Sequence, residues 1–176
     1  MTIADVRTAM TATLAEIRSV NDAIDAQHTA REWSVAAGSW IEQFGAVRAD
    51  AVRILVDEHP TITSAANAAG LSRVRIHQIL DNDRWTPRSG TRPGNDPLVA
   101  ALDTHLAEVT ALDDTLEQLD AAHTTITVLS TFQQALKQMR ANCAAYVTAS
   151  TSLRKAAAVL DMPHQRVHRY ASAATT

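Results

Sequence analysis

The chain has 176 residues, a formal net charge of −3 and a single cysteine, Cys143. That length suits one or two small domains with a core of their own, and the Ala- and Thr-rich, Gly- and Pro-poor composition favours an all-α protein. Apolar runs fall short of the ~18 residues a membrane span needs, the opening MTIADVRTAM lacks a basic region followed by an apolar one, and one cysteine makes no internal disulfide.

In chain order, a first helix is expected from about Ile3 to Gln27. Ile3, Val6, Met10, Thr13, Ile17, Val20 and Ile24 fall three and four apart, a heptad seam with Leu14 beside it. A second helix, from near Arg31 to Asp57, carries Val35, Ile41, Phe44, Val47, Val52 and Leu55. Gly38 and Gly45 weaken it and mark either a break or a close helix crossing. Pro60 ends it, and Thr61 or Thr63 caps the next element.

Ile62 to Leu80 reads ITSAANAAGLSRVRIHQIL. Ala65, Ala66 and Ala69 are small enough to let two helices approach. Gly70 supplies a positive φ without steric cost, and Leu71 fills the space beneath the turn. Ser72 is a good N-cap, and Ile76, Ile79 and Leu80 recur at helical spacing as an inward stripe. Residues 81–96, DNDRWTPRSGTRPGND, read as a linker in which Arg84, Arg88 and Arg92 are spaced along an extended segment. Such a segment is either a solvated connector or a basic arm that tracks phosphates or enters a minor groove; Trp85 is a candidate anchor for it.

The second half repeats the order. A helix from about Pro97 to Ala121 bears Leu102, Leu106, Val109, Leu116 and Leu119, and another runs from roughly Thr127 to Thr148. The β-branched run TTITVLST has no partner strand elsewhere and reads as the frayed start of that helix. Leu153 to Ala171 is LRKAAAVLDMPHQRVHRYA. Ala156, Ala157 and Leu160 take the small and apolar positions, and Met162, Val167 and Tyr170 form the inward stripe. Asp161 stands where the first copy has glycine and tolerates the left-handed region better than most residues. Pro163 opens the second helix, where a missing N–H costs nothing.

Both windows resemble the helix-turn-helix class of DNA-binding proteins, each over roughly twenty residues. Leu14–Asp25 (LAEIRSVNDAID) also matches Leu106–Glu117 (LAEVTALDDTLE) at an offset of 92, against 91 for the windows. The expected architecture is therefore all-α with two tandem repeats, residues 1–81 and 96–176, joined by the 82–95 linker. Each is a long helical hairpin followed by a helix-turn-helix, and the hairpins pack as a bundle, an internal pseudo-dimer. The same seams leave open a swapped arrangement or a homodimer of two chains through the long helices.

Charge partitions along the chain. Residues 1–59 and 96–149 carry −4 and −5, whereas residues 60–95 and 150–176, which hold the windows, carry +3 each. Local sign governs how a polyanion approaches. The resemblance implies that the second helix of each window enters the major groove of double-stranded DNA. Its outward residues are Ser72, Arg73, Val74, His77 and Gln78 in the first copy. In the second they are Pro163, His164, Gln165, His168 and Arg169. Arg addresses guanine and Gln adenine. Arg75 and Arg166 occupy equivalent positions suited to phosphates, as are Arg154, Lys155 and Thr63. Because the outward sets differ, the expected site is asymmetric or weakly palindromic, with half-site centres ~34 Å apart.

His164 and His168 have a spacing a metal could use, but no third ligand is evident, and nothing resembles a nucleophile elbow, a phosphate loop or a paired-carboxylate site. Neither an enzyme nor a cofactor is expected. Cys143 reads as a small buried residue. The function read from the sequence is DNA binding by a small cytoplasmic transcriptional regulator, such as a repressor, from a GC-rich bacterium, its phage or plasmid; a small-molecule effector stays open. The competing reading is an assembly or adaptor protein, of the DNA-packaging or partition kind, that oligomerises through its long helices. A third is that the second unit has kept its packing and lost DNA, given Asp161 and the few arginines near Pro163.

Overall fold

The computed structural model describes residues 2–81, 93–94 and 96–173, the side chains of residues 171 and 173 excepted. Among the described residues there are eight α-helices and no strand: α1 (Ile3–Ser19), α2 (Ala23–Glu58), α3 (Ile62–Ala68), α4 (Arg73–Asp81), α5 (Pro97–Thr110), α6 (Thr115–Ser150), α7 (Leu153–Val159) and α8 (His164–Ala173).

Aspartates decide where the long helices begin. The heptad seam predicts one helix through Gln27, but α1 stops at Ser19, and the Asp22 carboxylate accepts the backbone N–H groups of Ile24 and Asp25 at 2.7 and 3.0 Å. Capping the first free donors starts a new helix there, so α2 opens eight residues earlier than the expected Arg31. In the second half, Asp114 accepts the Glu117 N–H at 2.8 Å and starts α6, dividing the helix expected over 97–121. Each of these helices then runs for 36 residues. TTITVLST lies well inside α6 instead of at its frayed start. The hydroxyls of Thr125, Thr127, Ser130 and Thr131 donate to carbonyls four residues back, at 2.7 to 3.1 Å, which satisfies the polar atoms of a β-branched helical run.

Helices α2 and α6 pack antiparallel over most of their length and make the most extensive contact in the molecule. Trp33 meets Phe132 edge to face, with ring centres 6.2 Å apart. Gln133 Nε2 donates to the Ser34 carbonyl at 3.0 Å. Neither Gly38 nor Gly45 breaks α2. A Cβ at Gly38 would lie 3.3 Å from Gln133 Nε2, so Gly38 marks a close helix crossing. Helices α1 and α5 pack on each other and against this pair. One core draws on all four, including Val6, Met10, Trp40, Phe44, Leu102 and Leu136. Trp40 is completely buried and its Nε1–H donates to Asp103 at 3.0 Å, tying α2 to α5.

A helical bundle is therefore present, but the expected hairpins are not its main contacts, since α2 packs chiefly on α6 and α1 chiefly on α5; two positions of the expected stripes also differ. Val35 is 50 % exposed, because α2 turns Trp33, Ala36, Ala37, Trp40 and Phe44 toward its neighbours. Leu116, expected in the stripe, is 44 % exposed at the start of α6. The short helices complete the molecule at opposite ends of the α2/α6 pair. Helices α3 and α4 pack on Ala49, Val52 and Leu55 of α2 and on Leu119. Helices α7 and α8 pack on Ala144 and Val147 of α6 and on Ala23 and Ile24.

Candidate nucleic-acid interface

The two pairs of short helices are built alike. The Thr61 hydroxyl accepts the Ser64 N–H at 3.1 Å and caps α3, with Thr63 exposed beyond it; Ser152 accepts the Lys155 N–H at 3.3 Å and caps α7. Each first helix ends in a turn closed by a bond five residues back. Leu71 N–H donates to the Ala66 carbonyl at 2.8 Å, and Met162 N–H to the Ala157 carbonyl at 3.0 Å. Such a closure requires a left-handed residue. Gly70 supplies it at φ 64°, and Asp161 at φ 46°, as the substitution of Asp for Gly implies. The Asp161 carboxylate also takes a 2.7 Å bond from Arg31 of α2, which, with the guanidinium charge, holds its pKa below the usual carboxylate value.

Past the turn, Ser72 Oγ accepts the Arg75 N–H at 3.1 Å and caps α4, while the Pro163 carbonyl accepts from Arg166 at 2.8 Å at the start of α8. Ile76 and Ile79 are buried, as are Met162 and Val167, with Leu71, Leu80 and Tyr170 packed at the margins. That orientation leaves Ser72, Arg73, Val74, His77 and Gln78 exposed on the first unit, and Pro163, His164, Gln165, Arg166, His168 and Arg169 on the second. Val74 is 65 % exposed, a large apolar side chain held in solvent among polar ones. Arg75 is half-buried and donates to Gln78 Oε1 at 3.2 Å. Arg154 and Lys155 are exposed on α7. Arg84, Trp85, Arg88 and Arg92, the arm residues, lie outside the described residues.

Sequence reasoning passed over two side chains that the fold brings to these units. Arg48 of α2 stands beside Arg75, and Arg140 of α6 beside Tyr170, with its guanidinium carbon 5.8 Å from the ring centre. Burial, and then the neighbouring Arg75 charge, lowers the pKa of Arg48 from its ordinary value. Burial does the same at Arg140; Tyr170 opposes the shift, while Arg166 and Arg31 add to it. The signal available was the offset, since positions 48 and 140 are separated by the same 92 residues as Asp22 and Asp114.

Among the described residues, no group of three His, Cys, Asp or Glu is placed to hold a metal ion, His164 and His168 included. No described helix is long and apolar enough to cross a membrane. Cys143 is half-buried against the main core, and burial pushes its thiol pKa up. No family model matches this sequence, and the searches of curated proteins and of solved structures likewise returned no match.

Proposed function

We propose that this protein binds double-stranded DNA in a sequence-specific, non-catalytic way through two non-identical helix-turn-helix units, and that it acts as a transcriptional regulator, most simply a repressor. The observation that carries the reading is the recurrence, at the two ends of α2/α6, of one arrangement. A short helix and a left-handed turn lead into a second helix whose apolar side is buried and whose basic and amide side is exposed.

The reading takes residues 1–81 and 96–176 as tandem repeats. Equal 36-residue helices opened by Asp22 and Asp114 support it, as does the step in offset from 92 to 91 across the loop before α3 and α7. If the proposed repeats are related by a twofold axis normal to the plane of the antiparallel α2 and α6, both units lie on one side of that plane, as two half-sites on one duplex face require. Spacing points the same way. The part of α6 from Asp120, level with Arg48, to Arg140 covers about 30 Å at ~1.5 Å per residue, close to the ~34 Å between successive major grooves. Arg73, Gln78, Gln165 and Arg169 carry donors suited to base edges, and exposed Val74 suits a thymine methyl.

Selection of bound sequences from random duplex DNA, followed by titration of the winner at several salt concentrations, tests this. The expected result is an asymmetric or imperfectly palindromic consensus, bound one chain per site, with affinity falling steeply as salt rises. Lack of enrichment, or binding indifferent to salt, overturns it in favour of an assembly protein that uses these surfaces for other chains.

A further inference from the structure

Arg48 and Arg140 share a feature that packing does not require. Each buries its Nε without a hydrogen-bond partner, and neither forms an ion pair among the described residues. Each instead stands at the helix proposed to read DNA: Arg48 lines one cavity with Arg75, and Arg140 lies against Tyr170, one helical turn from Arg166 on α8, with the charges of Arg166 and Arg31 both acting on it. Half-burying a guanidinium, with its Nε closed off from water and a like charge nearby, is unfavourable unless an anion or hydrogen-bond acceptors complete the site. One such arginine is an accident of packing. Two, at positions 92 residues apart and beside helices whose arginines are 91 apart, are the same construction made twice.

We propose that Arg48 with Arg75, and Arg140 with Arg166, form two phosphate-binding sites, each taking one phosphate oxyanion beside α4 or α8. Two planar guanidinium forks suit phosphate geometry, and weak hydration makes Arg the cation best able to wait half-buried for it. The first site opens into a cavity of 320 Å³ that His123 also lines, with Asp120 as its one carboxylate. At the second, the Tyr170 ring lies beside Arg140, its centre 5.8 Å from the guanidinium carbon, and Lys137 and Arg140 line a 240 Å³ cavity. The phosphate source is the DNA backbone if the proposed function is right, on which this part rests; free phosphate offers the same chemistry.

The test has two arms. In the first, the selected duplex is titrated with the whole chain and with the Arg48→Met/Arg140→Met double variant, which keeps an unbranched apolar stem in place of each arginine. Two lost phosphate contacts should make the slope of log affinity against log salt shallower by about 1.8, at ~0.9 per contact, with the selected consensus unchanged. An unchanged slope in a folded variant overturns the proposal. In the second arm, the Nε–Hε NMR resonances of the wild-type chain are followed as inorganic phosphate is added. Shifts at Arg48 and Arg140 that disappear in Arg75→Met/Arg166→Met support the sites. If these shifts occur and no DNA binds, the sites stand with free phosphate as their ligand and the DNA reading fails. If phosphate leaves both resonances in place, the proposal fails, whether or not the double variant folds.

Discussion

Gln27 is completely buried in α2, and neither its amide nitrogen nor its amide oxygen has a partner. A buried polar group left unsatisfied costs about 1–3 kcal/mol, so Gln27→Leu, which places there the residue found 92 positions on at Leu119, should raise the stability to urea by ~1 kcal/mol or more. A lower midpoint for this variant would mean that the amide is satisfied in solution. Gly70 is the converse case. A Cβ there meets nothing within 4 Å, so Gly70→Ala bears the left-handed backbone penalty alone, ~1 kcal/mol. Gly70→Asp should cost less, as Asp161 already stands in that conformation, and chemical denaturation of the two variants side by side checks the order. Asp161 itself carries a pH dependence. Its folded pKa is depressed, so its contribution is present above the ordinary carboxylate value of 3.8 and is lost as pH falls through the lower folded value. Asp161→Asn should remove that contribution at neutral pH and flatten the acid limb of a stability profile taken from pH 7 to 2.

At the level of the element, the helical character and inward stripes of both short-helix units were legible from Ala, Leu and Ile spacing, and the turns from Gly70 and from Asp as its substitute. The starts of the long helices were not. A three-and-four seam is indifferent to whether Val20 continues one helix or separates two, and the decision falls to a single carboxylate finding backbone donors at Asp22. Asp22→Ala and Asp114→Ala should each lower stability by about 1 kcal/mol, the usual effect of losing an N-cap, measurable by urea unfolding followed by circular dichroism. A far larger loss would mean that these aspartates hold more than their own helix ends. The α2 stripe was misplaced for a related reason: Val35 and Trp33 are both apolar, and only the α6 surface decides which is covered. Trp40, enclosed and bonded to Asp103, is where the α2 face is most sensitive. Trp40→Ala should cost about 3–5 kcal/mol and broaden or abolish the thermal transition.

On the scale of the molecule, the proposed DNA binding implies that two units differing in nearly every outward residue read different half-sites. Arg73→Ala should relax the preference at one or two positions of one half-site, a loss of about 1–3 kcal/mol in discrimination. Arg169→Ala should do the same in the other half-site, and the two losses should add, since the units lie at opposite ends of α2/α6. Footprinting and selection with each variant separate these effects. Equal effects of both substitutions on both half-sites would mean that two chains share a symmetric site. Arg169→Ala without any effect would instead mark the second unit as a packing element that has lost its contact with DNA.

The all-helical class, the two left-handed turns and the buried sides of α4 and α8 are readable from the residues alone, because these depend on positions close to one another in the chain. Caps, turn glycines and helical spacing act locally, so their consequences can be read in place. Tertiary structure alone decided that α1 and α5 pack together over α2 and α6, and that Trp33 and Trp40 anchor the core. It also decided that Arg48 and Arg140 stand beside the helices proposed to meet DNA. Each of those outcomes depends on which surface arrives from elsewhere in the chain. Burial, like-charge proximity and a missing hydrogen-bond partner are properties of a meeting between elements, and no window of a single helix contains them.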